Sequence, residues 1–187
     1  MNEVTAGVEN IQTVFDNFPS KYLLMNGNIE KNLKFFVGMV LEGSVDGFSY
    51  AMDKKIDNHE VDMLGFINGE SVLAIEFKCT FSSDPGATIK AAKDACKKII
   101  KTNEIALLAN SKKQIVHFLN HSFPASDTSL NPEYIKRKYP TGNRLSPEEL
   151  ASTFKSELGE KYFQHRIHSY QFPSDAIGLD ALIVDIT

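Results

Sequence analysis

The chain has 187 residues, 42% of them hydrophobic and 24% charged, with a formal net charge of −4. That length suits one domain with a real core, and that composition excludes collagen-like, disulfide-scaffold and disordered classes. No apolar run approaches the roughly 20 residues of a membrane span; the longest, residues 35–41, is interrupted by Gly38.

The first residues, Met1-Asn2-Glu3-Val4, do not pair a basic stretch with an apolar block, so a cytoplasmic location is expected. Cys79 and Cys96 are then expected as reduced core residues. Two cysteines are too few for a four-thiolate zinc site.

In chain order, Val8, Ile11, Val14, Phe15 and Phe18 recur at helical spacing and predict a helix over 7–17, stopped by Pro19 and Ser20. Asn26-Gly27-Asn28 reads as a turn with an N-cap. A second helix is predicted over 29–42, with Ile29, Leu33, Phe36, Val37 and Val40 on one face and Glu30 at its edge. The period then changes to two, predicting strands over 46–53, 59–67 and 70–79, the last two joined by a hairpin turn at Asn68-Gly69. A helix over 87–102 carries Ile89, Ala92, Ala95, Cys96, Ile99 and Ile100 on one side and Lys90, Lys93, Lys97 and Lys101 on the other. Residues 104–109 fit a strand or a continued helix equally well. A strand over 114–119, a polar loop over 122–145, a helix opened by Ser146-Pro147-Glu148-Glu149 and strands over 163–172 and 179–186 complete the chain.

Charge is unevenly spread. Residues 1–86 carry a net −7, residues 87–144 a net +7 and residues 145–187 a net −4. A basic block inside an acidic chain points to an anionic partner.

The chemistry concentrates at Asp62 and at Glu76-Phe77-Lys78. Glu76 and Lys78 are two apart on one strand, so their side chains share a face. Pairing across the hairpin sums to about 137 or 138, which sets Asp62 roughly opposite Glu76, with Lys78 on the diagonal. Two adjacent carboxylates repel unless a cation joins them. Mg2+ is held by one or two carboxylates plus water and phosphate oxygens, and a neighbouring lysine stabilises the charge that develops at a phosphoryl group. Glu76 also interrupts the apolar run 72–77, where an uncompensated charge would cost several kcal/mol. A second acidic-lysine pattern, Asp53-Lys54-Lys55 after Asp46, lies at a polar strand end and is read as a decoy.

The order helix with Glu30, strand, Asp62, turn, Glu76-x-Lys78 and helix resembles the PD-(D/E)XK nuclease superfamily over residues 28–119. The resemblance implies an α/β fold with a restriction-endonuclease-like αβββαβ core and a mixed central sheet flanked by helices. Residues 1–187 would form a single domain, with 120–187 packed on it as an extension. It implies a Mg2+-dependent (or Mn2+-dependent) endonuclease acting on DNA, of restriction or defence type, with RNA not excluded and a homodimer as the assembly that cuts both strands. By resemblance, Asp62, Glu76 and the Phe77 backbone carbonyl hold the metal, Lys78 assists the nucleophile, Glu30 completes the catalytic set and Glu60 is an extra acidic ligand. Val61 stands where many members have proline. Lys90, Lys93, Lys97 and Lys101, together with Lys136, Arg137 and Lys138 between Tyr134 and Tyr139, are the candidate nucleic-acid contacts. His117, His121, His165 and His168 are read as structural. Two other classes fit the same chain: a nucleic-acid-binding module without turnover, and an acidic protein-interaction domain of immunity type.

Overall fold

The computed structural model describes Asn10, Gln12 and residues 29–121, 144–170 and 178–186. The helix expected over 7–17 lies outside that set except for Asn10 and Gln12, both helical, and nearly all of the loop expected over 122–145 lies outside it too. Among the described residues, no helix is long and apolar enough to cross a membrane.

The fold is α/β. Helix α1 (Ile29–Ser44) leads into the strands β1 (Phe48–Ile56), β2 (His59–Ile67) and β3 (Glu70–Phe81). Helix α2 (Pro85–Lys101) then crosses to β4 (Lys112–Asn120), and α3 (Pro147–Leu158), β5 (Phe163–Tyr170) and β6 (Leu179–Ile186) follow. One six-stranded mixed sheet runs in the order β1-β2-β3-β4-β6-β5. The pair β3–β4 is parallel and all other neighbours are antiparallel. A parallel neighbour needs a crossover, and α2 supplies it.

Boundaries follow local chemistry. The strand expected over 46–53 forms over Phe48–Ile56, because Gly47 takes a left-handed φ of 69° and holds the preceding turn. α2 starts earlier than periodicity suggests: Asp84 caps it by accepting from the Ala87 N–H at 3.0 Å, with Pro85 at its first position. Residues 104–109 are neither strand nor continued helix but two 3-10 turns, Thr102–Glu104 and Ala106–Leu108. Their Ile105 and Leu108 pack with Val61, Leu64 and Ala74. The capping box read at Ser146 is present, with reciprocal bonds to Glu149.

The sheet separates two cores. Leu33, Val37 and Leu41 of α1 pack on Met63, Ile75, Phe77 and Phe118. On the other side Ala92, Cys96 and Ile99 of α2 and Leu150 and Phe154 of α3 pack with Ile115, Leu119 and Val184. The alternation is visible on β3: Ile75 and Phe77 face α1, so Glu76 and Lys78 face the α2 side. α1 sits close to β1, for a Cβ at Gly38 would come within 2.6 Å of the Tyr50 ring. That approach brings Lys34, one turn earlier, down onto the strands.

Candidate active site

The hairpin places the two central carboxylates as its arithmetic predicts. The β2–β3 register runs Met63↔Ile75, Leu64↔Ala74, Gly65↔Leu73, all summing to 138, and slips by one after Gly65. Asp62 and Glu76 are the next pair beyond Met63↔Ile75. There the ladder gives way to a side chain: Asp62 Oδ2 accepts the Phe77 N–H at 2.8 Å.

Both carboxylates are buried, at 4% exposure for Asp62 and 2% for Glu76. Their charge is compensated by three ammonium groups from three elements. Lys78 of β3 donates to Glu76 Oε1 at 2.6 Å and to the Phe77 carbonyl at 2.8 Å, and stands 4.0 Å from Asp62 Oδ2. Lys98 of α2 lies 3.0 and 3.3 Å from the two Glu76 oxygens and 3.8 Å from Asp62 Oδ1. Lys34 of α1, itself buried, lies 3.2 Å from Asp62 Oδ1, 3.2 Å from Asp53 Oδ1 and 3.7 Å from Glu30 Oε1. Without these partners each buried ion would cost several kcal/mol.

The two carboxylates titrate in opposite directions. Burial pushes Glu76 up, the nearby Asp62 charge adds to it, and the lysines only partly offset this, so its pKa stays above the ordinary value. Burial also pushes Asp62 up, but the Phe77 N–H, Lys34, Lys78 and Lys98 outweigh it and hold the carboxyl below the ordinary range. Lys34 and Lys98 are both raised: burial opposes their charge, and the surrounding carboxylates more than offset it.

The expected residues distribute as follows. Asp62, Glu76, the Phe77 carbonyl and Lys78 meet at one point. Glu30 is seated beside it, accepting the Cys79 N–H at 3.0 Å and joined to Asp62 through Lys34. Glu60 is exposed and acts on Lys98 through its charge. Lys90, Lys93, Lys97 and Lys101 line the exposed side of α2, where Lys93 pairs with Glu157 at 3.0 Å and Lys97 with Asp94 at 4.0 Å. Lys136, Arg137 and Lys138 lie outside the described residues.

Lys34, Lys98 and Asp53 were not anticipated. Asp53, the supposed decoy, lies between the Met52↔Met63 and Lys54↔Val61 pairs, level with Asp62, and takes a left-handed φ of 49°. Two acidic residues level with each other on neighbouring strands repel; the Lys34 ammonium between them removes that repulsion. A sequence signal for Lys34 existed in its position four residues after Glu30, on the same helix face.

Among the described residues, no group of three or more His, Cys, Asp and Glu side chains gathers so as to hold a metal ion. The donors at the meeting point are two carboxylates and one backbone carbonyl. That all-oxygen set fits Mg2+, which keeps most of its shell as water and phosphate, and not a cage built wholly of protein. No family model matches the chain, and neither a curated protein nor a solved structure does.

Proposed function

We propose that the chain is a metal-dependent nuclease that hydrolyses phosphodiester bonds of DNA, with a restriction-endonuclease-like core. The observation that carries this reading is the position of the Lys78 ammonium. It touches Glu76 Oε1 and the Phe77 carbonyl and faces Asp62 Oδ2. A positive charge already sits against the three oxygens that would hold Mg2+. The order of helix, three antiparallel strands, helix and parallel strand supports the core assignment.

In this reading Asp62 and Glu76 would hold the metal with the Phe77 carbonyl. Mg2+, when bound, supplies Lewis-acid polarisation of the phosphoryl group. Asp62 is aimed by the Phe77 N–H and by Lys34, so its carboxylate is ionised and fixed before substrate arrives. Lys78 provides a cation beside the attacking water and the phosphoryl oxygens. The lysines on the outer side of α2 extend from the same helix that places Lys98 on Glu76, and supply a track for the phosphate backbone. A homodimer would let two such sites address both strands.

One observation favours a second reading. Lys34, Lys78 and Lys98 already neutralise both carboxylates, as suits a DNA-binding module that keeps the fold without turnover.

Cleavage of supercoiled plasmid and of single strands in Mg2+ or Mn2+ against EDTA, with wild type and Lys78→Ala, separates the two. The nuclease reading expects metal-dependent nicking that falls on the order of 100-fold or more in the variant. Salt-sensitive DNA binding with no cleavage in either metal selects the module.

A further inference from the structure

The three ammonium groups are not equivalent. The Lys34 side chain is 9% exposed and bound by Glu30, Asp53 and Asp62 together. The Lys78 side chain is 18% exposed and tied to its own strand through the Phe77 carbonyl. The Lys98 side chain is 42% exposed, arrives from a different element, and holds the carboxylates only through its tip. Glu76 Oε1 carries two of these ammoniums at once, Lys78 at 2.6 Å and Lys98 at 3.0 Å. No further positive charge can reach that oxygen without strong repulsion while both remain.

Resting on the nuclease reading, we propose that Lys98 is a displaceable counter-charge: a divalent cation takes its place on Glu76, and the freed ammonium turns to a phosphate of the bound strand. Lys98 is the most exposed of the three, on a long stem rooted on a helix whose outer side is already basic. Its departure removes one positive charge from the carboxylate pair as the cation adds two. Lys34 and Lys78 stay in place, the first bridging Asp62 and Asp53 and the second remaining at the reacting centre. No bond is made or broken, and the exchange is one of ion pairs.

The test is Mn2+ binding by isothermal titration calorimetry to the substrate-free protein, for wild type, Lys98→Met, Lys98→Arg and Glu76→Gln. It is joined by anisotropy of a labelled DNA duplex in Ca2+ at fixed ionic strength. Lys98→Met should bind Mn2+ about tenfold more tightly, the worth of one charge-assisted hydrogen bond no longer in competition. The same variant should bind DNA several-fold more weakly, and Lys98→Arg should return both values toward wild type. Mn2+ binding that is lost in Glu76→Gln yet unchanged or weakened in Lys98→Met overturns the displacement and leaves the nuclease reading standing. Absence of Mn2+ binding in wild type and Lys98→Met alike overturns both.

Discussion

Asp62 Oδ2 accepts the Phe77 N–H at 2.8 Å, at the point where the β2–β3 ladder stops. A carboxylate has replaced a strand carbonyl as acceptor, which ties one Asp62 oxygen to the backbone of the neighbouring strand. Asp62→Asn keeps an acceptor for that N–H and should fold, with cleavage and Mn2+ binding both lost. Asp62→Ala should lose about 1–3 kcal/mol more than Asp62→Asn, because it orphans a buried donor. Urea unfolding of the two variants measures the difference. Equal stabilities would show that the hydrogen bond contributes nothing.

Lys34 is the cation on which the level pair Asp53 and Asp62 depends. Lys34→Met leaves the two carboxylates facing each other and should destabilise by about 3 kcal/mol or more. Adding Asp53→Asn should recover part of that loss, since one of the two charges is gone. A double-mutant cycle in urea reads the coupling; additive effects would deny that Lys34 acts as their bridge.

His117 supplies a pH dependence separate from the carboxylates. Its Nε2 is 2.7 Å from Thr80 Oγ1, and burial, with the Lys78 charge, pushes its pKa down to about 3. The unfolded chain takes up that proton near pH 6.5. Between about pH 3 and 6.5 the unfolded state therefore binds more protons, and stability falls as the pH drops, by up to about 1.4 kcal/mol per pH unit. Glu76, whose pKa is raised, acts with the opposite sign by taking up its proton in the native state first. Comparing wild type with His117→Gln cancels that contribution. The variant should show a shallower loss of unfolding free energy between pH 6.5 and 4.5, and parallel curves would exclude His117 as the source.

Much of the carboxylate pair was legible because it is a local matter. Asn68-Gly69 fixes a turn, the turn fixes a pairing sum, and the sum sets Asp62 against Glu76. The period of two then puts Lys78 beside Glu76. The interruption of an apolar run by Glu76 told of a compensated charge, though not of how many cations compensate it. Lys34 and Lys98 depend on how each helix is rotated and seated on the sheet, which no pattern within one element determines. Lys98 falls between the apolar side of α2 and the stripe containing Lys97 and Lys101, so periodicity assigned it to neither. Asp53 escaped for another reason: it lies at the polar end of its strand and joins the carboxylates only through Lys34, a residue of another element.

Lys34 descends from the helix on one side of the sheet and Lys98 from the helix on the other, and both reach Asp62 Oδ1, at 3.2 and 3.8 Å. The carboxylate thus acts as a rivet through the sheet. Lifting either helical layer away leaves a buried negative charge with one cation fewer, which couples the two layers. The cost of burying charge is in this way turned into a coupling between layers, concentrated where the two helices meet the strands β1 to β3.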